Sequence, residues 1–174
     1  NEIWYDIDNY QQFKQNGVVN IPVDIHSIPV YQRGGSIIPR KFRIRRSSTL
    51  MHNDPYTLVV ALGTNGTASG QLYIDDGITF QHQYNKKALY LGFNFENNVL
   101  ESKFLLPDYH YPTKEWLERV LIVGISPGIT KAKATSGKDG TVVDLETSYN
   151  SEYQVLIVRK PGLSMAEEWK IQLL

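Results

Sequence analysis

The chain has no cysteine among its 174 residues, which excludes a disulfide framework and a thiolate metal site. It has no charge excess either. Lysine plus arginine and aspartate plus glutamate number 18 each, so the basic surplus of a nucleic-acid-binding domain is missing. The one local basic run, Arg40, Lys41, Arg43, Arg45 and Arg46, alternates with Phe42 and Ile44. A strand with one charged face accounts for that spacing more readily than a phosphate patch. No apolar run approaches the roughly 18 residues that a membrane span needs. No signal peptide is evident, since Asn1 opens directly into Ile3-Trp4-Tyr5-Asp6-Ile7. That abrupt start makes a piece of a longer chain the expectation.

Familiar reaction motifs are also missing. No G-x-S-x-G, P-loop or G-x-G-x-x-G occurs. His26, His52, His82 and His110 do not stand at metal-ligand spacing. Each falls near a turn or strand edge, where an exposed or locally bonded histidine is the ordinary occupant.

What the chain does have is a succession of short runs rich in Val, Ile, Tyr and Phe. Turn residues interrupt them about every ten positions, the signature of an all-β sandwich or barrel. The pattern predicts strands at 2–7, 18–25, 28–32, 36–45, 56–63, 69–76, 78–84, 87–95, 98–105, 116–124, 129–136, 141–147, 153–159 and 168–173. Two hairpins are marked, one at Asp76-Gly77 and one at Asn97-Asn98, because these residues tolerate the positive φ of a tight turn. Thr113 could cap a helix, but the β-branched run Val120–Val123 favours a strand. Residues 45–55 are polar and end in Asp54-Pro55, which reads as a linker. The division expected is 1–51, the end of a first β-sandwich plus linker, and 52–174, a second β-sandwich.

Few residues suggest chemistry. Asp75 and Asp76 could hold calcium, but they point to opposite faces of a strand, and Gly77 explains the pair as a turn. They do not suit a glycosidase pair, whose carboxyls face each other across roughly 5–9 Å. Trp4, Trp116, Trp169 and the eleven tyrosines could build a sugar-stacking platform, or could simply fill sheets. Asn65-Gly66-Thr67 matches the N-glycosylation sequon and also reads as a turn; the two are compatible.

The most unusual stretch is residues 28–40, Ile-Pro-Val-Tyr-Gln-Arg-Gly-Gly-Ser-Ile-Ile-Pro-Arg. Together with Trp4-Tyr5-Asp6-Ile7 before it, and Val59-Val60-Ala61-Leu62 and Leu72-Tyr73-Ile74-Asp75-Asp76-Gly77 after it, it resembles the region following the catalytic barrel in family 31 glycoside hydrolases. The likeness covers essentially the whole chain, in order. Arg45-Arg46-Ser47-Ser48, residues 118–124, residues 155–162 and residues 168–173 resemble the tail of endoplasmic-reticulum α-glucosidases of that family.

The resemblance implies two β-sandwiches in series. It implies that Gly34-Gly35 lets the backbone bend sharply and approach another surface, with at least one of the two at positive φ. Arg33 could pair with a carboxylate on the neighbouring catalytic barrel, or stand exposed beside the bend. The family's nucleophilic and acid/base aspartates lie in the barrel, so no residue here inherits a catalytic role. The parent would be a retaining α-glucosidase of the endoplasmic-reticulum lumen, trimming α-1,3-linked glucose from the N-glycans of new glycoproteins. It would need no metal or organic cofactor, and its partners would be its own barrel, a non-catalytic β subunit and the glucosylated N-glycan. The chain itself would be a support for the barrel, an independent carbohydrate-binding module, or a protein-interaction module. An exposed aromatic row would favour the second, and a flat apolar patch without sugar affinity the third.

Overall fold

A computed structural model describes residues 2–174. Most strands form over the short runs rich in β-branched, aromatic and aliphatic residues. β1 (Trp4–Asp6), β2 (Gln12–Phe13) and β3 (Tyr31–Arg33) make an antiparallel sheet ordered β2-β1-β3. Ten further strands follow: β4 (Ser36–Arg40), β5 (Tyr56–Ala61), β6 (Ala68–Ile74), β7 (Leu89–Glu96), β8 (Val99–Phe104), β9 (Trp116–Val123), β10 (Ala132–Ser136), β11 (Val142–Asn150), β12 (Val155–Ser164) and β13 (Trp169–Leu173). Their hydrogen bonds close into one ring, β10-β11-β12-β9-β5-β4-β6-β7-β8-β13. Closure removes the unpaired edges that an open sheet would present. The chain is thus almost wholly β, as a closed ten-stranded barrel beside a three-stranded sheet. The β3–β4 connection, at Gly34-Gly35, is where the chain crosses between them.

The ring is filled by one apolar cluster that includes Leu58, Val60, Leu91, Phe93, Leu100, Ile122, Leu156 and Trp169. The central strands are apolar on both sides. In β5, Leu58 and Val60 face that cluster, while Val59 and Ala61 join a second one with Leu121, Val123, Val155 and Tyr5. Tyr5 belongs to β1, so the second cluster is the seam on which the small sheet sits. Its hydroxyl donates to the Leu62 carbonyl at 2.8 Å, and burial pushes the phenol up to about 12. Buried Gln32 of β3 adds to the seam by donating to the Val59 carbonyl at 3.0 Å.

Several sequence expectations need correction. The hairpin at Asn97-Asn98 forms: both residues have positive φ, and Glu96 pairs with Val99 across the turn. The hairpin at Asp76-Gly77 does not. β6 pairs with β7, residues 77–80 bend, and a short helix α1 (Gln81–Tyr84) stands where a strand at 78–84 was expected. Residues 18–25 form no strand either, whereas β2 arises without a strong pattern at Gln12–Phe13. Residues 116–123 are strand rather than helix.

The basic run departs from expectation in an informative way. β4 ends at Arg40, yet the alternation continues to matter. Lys41 pairs with Glu115, Arg43 with Glu118 at 2.8 Å, and Arg45 with Asp54 through two bonds of 3.0 and 2.6 Å. Phe42 and Ile44, on the alternate positions, stay exposed. Salt bridges hold the extended backbone here in place of a ladder, and residues 45–55 carry a 3-10 turn at Ser48–Met51. Lys41 is also held by the Met51 and His52 carbonyls, at 3.0 and 2.9 Å, and lies 4.5 Å from the Tyr56 ring centroid. Glu115 is buried and also accepts the Thr113 hydroxyl at 2.8 Å.

Two substitutions test these joints. Tyr5→Phe removes one buried hydrogen bond and is expected to cost about 1 kcal/mol in denaturant unfolding. Lys41→Met strands a buried carboxylate and is expected to cost about 3 kcal/mol, much of it recovered in the Lys41→Met/Glu115→Gln double variant. Equal losses in the single and double variants would mean that Lys41 acts through packing rather than charge.

Candidate functional site

The Arg33–Gly35 turn is tightly constrained. The Gly34 amide donates to the Ile3 carbonyl at 2.7 Å, and the Gly35 amide to the Ala61 carbonyl at 2.8 Å. One amide thus reaches into the small sheet and the next into the ring. A Cβ at Gly34 would stand 2.8 Å from the Leu62 carbonyl oxygen and 2.9 Å from that of Ile3. The Leu62 oxygen is held by the Tyr5 hydroxyl and the Ile3 oxygen by the Gly34 amide itself, so neither can move without breaking a hydrogen bond. Gly35 faces open space, but its φ is +84°, the left-handed turn expected at one of the two glycines. The pair is needed for two reasons, one steric and one conformational. Ser36 completes the turn by donating to the Arg33 carbonyl at 2.6 Å.

Arg33 pairs with Glu2, and both are about half exposed. Its partner within the chain lies 31 positions earlier, beyond what sequence spacing could reveal. The pair borders an open hollow whose other walls include Gly34, Gly35, Asn65 and Thr67. Asn65 and Gly66 are exposed there on the β5–β6 turn.

Asp75, Asp76 and Gly77 form a capped loop. Asp75 accepts the Gly77 amide at 2.8 Å, and Asp76 accepts those of Ile78 and Thr79 at 3.1 and 2.9 Å. The Thr79 hydroxyl and these amides hold the Asp76 carboxyl down to about 2. Since this folded value is depressed, the loop's support is complete above the ordinary aspartate range and is lost as pH falls toward 2. These side-chain bonds explain why the backbone turns into α1 rather than back along β6. His82 stands 3.6 Å from Asp75. Among the described residues, no three His, Asp or Glu side chains gather as a metal-binding group.

The tryptophans share no platform. Trp169 is buried and stacked on Phe93, Trp116 lies 5.9 Å from the Arg43 guanidinium, and Trp4 is partly exposed on the small sheet. Tyr73 and Tyr90 are neighbours on the ring's outer face, but their rings meet edge-on at 66°, which offers no flat surface to a sugar ring. The described residues also include no helix long and apolar enough to cross a membrane.

Known proteins share this fold and much of this sequence. No protein-family model matches the chain. Human neutral alpha-glucosidase AB is 42% identical over 172 residues, which is 99% of this chain and 18% of that protein. Human neutral alpha-glucosidase C is 35% identical over 176 residues, covering all of this chain and 19% of that one. The catalytic subunit in a crystal structure of the ER glucosidase II heterodimer, solved with the binding domain of its regulatory subunit, superposes with a TM-score of 0.91 at 28% identity. That match covers the whole chain and 20% of its counterpart. The chain spans about a fifth of the length of the relatives it matches, and across that fifth it is similar to these α-glucosidases in both sequence and fold.

Proposed function

We propose that this chain is the non-catalytic C-terminal portion of a retaining α-glucosidase, serving to pack against and stabilise the catalytic barrel. The parent is of the glucosidase II type, or its relative neutral α-glucosidase C. It trims α-1,3-linked glucose from N-glycans in the endoplasmic-reticulum lumen, in company with the non-catalytic β subunit of glucosidase II. The three-stranded sheet is what remains of the proximal sandwich and the ring is the distal domain; the ring takes in β4, which the division expected at 51/52 had set with the first.

One observation carries the reading. Between β2 and β3 the chain runs for 17 residues without a strand, and turns Val18, Ile25 and Ile28 outward at 83% exposure or more. Ile44, at 98%, and Phe42 add to the apolar surface of the same half of the chain. Side chains of this kind left open over so long a stretch are expected to meet a partner. The missing four-fifths of an α-glucosidase supplies one, whereas the edge-on Tyr73–Tyr90 pair does not favour a free-standing carbohydrate module.

The isolated chain is therefore expected to show only the background rate on a chromogenic α-glucoside. Calorimetric titration with gluco-oligosaccharides should be silent. Genuine turnover, or micromolar binding lost on Tyr73→Ala, would overturn the proposal. In the intact enzyme, Gly34→Val should lower the melting temperature and the yield of folded protein while leaving kcat per folded molecule nearly unchanged. Gly35→Ala should be milder, about 1 kcal/mol for the left-handed backbone alone. Loss of turnover at unchanged stability would instead place the turn in the active site.

A further inference from the structure

The β5–β6 turn has a property that barrel support does not use. Asn65-Gly66-Thr67 is the one N-x-S/T sequence in the chain. Asn65 and Gly66 are exposed, and Gly66, at φ +74°, has open space around it. The Asn65 amide oxygen accepts both the Thr67 amide, at 3.2 Å, and the Thr67 hydroxyl, at 3.0 Å. Its amide nitrogen donates to no protein atom among the described residues, and is left facing solvent.

We propose that Asn65 carries an N-linked glycan, standing at the rim of the hollow beside Arg33 and Gly35. The arrangement suits the chemistry. A hydroxyl donating to the amide oxygen favours the imidate form, in which charge collects on oxygen and the nitrogen keeps its lone pair for attack. The donor is an oligosaccharide linked to a polyisoprenyl pyrophosphate. The Asn65 nitrogen bonds to its anomeric carbon as the carbon–oxygen bond to phosphate breaks. The pyrophosphate leaves with that electron pair, and the nitrogen gives up one proton to a base. Both hydrogen bonds at Asn65 span only two residues, so the turn forms locally, before the ring's long-range pairing is complete. Asparagine glycans occupy exposed turns of this kind.

The inference rests on the luminal residence proposed above, and the two can be tested apart. The intact parent enzyme is isolated from a eukaryotic host with its natural leader, and its location is read by protease protection in sealed microsomes. Peptide mapping then follows release by peptide-N-glycosidase in heavy-oxygen water. Asn65 should be recovered as heavy-oxygen aspartate only when the glycosidase is present; the enzyme-free control identifies spontaneous deamidation at Asn65-Gly66. Occupancy should vanish in Asn65→Gln and Thr67→Val and persist in Thr67→Ser, which keeps the hydroxyl. A protected, luminal enzyme with bare Asn65 overturns the glycan alone. An enzyme that is not luminal overturns both it and the localisation.

Discussion

The structure depends on β5 and β9 being covered on both faces. A strand in a closed ring ordinarily shows one apolar face to the interior and one polar face to water. Here Val59, Ala61, Leu121 and Val123 point away from the ring interior and are still buried, because Tyr5 and the small sheet lie over them. The small sheet has three short strands, one of only two residues, and could not hold itself together alone. Its stability is borrowed from the ring, through Gln32 and above all through the side chain of Tyr5, whose hydroxyl must then find a partner in a dry seam. The Leu62 carbonyl supplies it, immediately past the end of β5.

That requirement propagates into the turn. If Tyr5 is to pack on β5 and bond the Leu62 carbonyl, the strand leading to the ring must pass very near that carbonyl. Gly34 makes that passage at a distance no side chain would tolerate, and Gly35 then swings the chain into β4. The buried charges serve the same geometry from the other end of β4. Glu115 and Asp54 are among the few charged groups buried in the chain, and each is met by a basic residue of the stretch that follows β4. A buried pair is weak evidence for stability but fixes register well, since slipping by one residue would expose the cations and bury Phe42 and Ile44.

What the sequence revealed was local. The all-β class, the turn at Asn97-Asn98 and the need for a left-handed glycine beside Arg33 follow from residues adjacent in the chain. The Asp76-Gly77 turn misled because its backbone preference fits a hairpin, whereas the Asp75 and Asp76 carboxylates recruit the amides ahead of them and start α1. Residues 18–25 alternate like a strand but find no neighbour to pair with in the chain. Closure of the ring joins β5 to β9 and β10 to β13, contacts that no local pattern encodes. The candidate site was partly legible for the same reason. The glycine pair announces a bend, but the division of labour within it depends on Ile3 and Leu62, and the partner of Arg33 depends on Glu2.

Chain-wide charge balance has a related consequence. With equal numbers of acids and bases in the chain, the buried carboxylates find cations within it, at Lys41–Glu115 and Arg45–Asp54. Asp75 and Asp76, the two adjacent carboxylates, are likewise committed to backbone amides of their own loop. Val18, Ile25 and Ile28 between β2 and β3, Ile44 just beyond β4, and Ile78 in the loop after β6 are the most exposed of the apolar side chains, and their chemistry suits burial against protein.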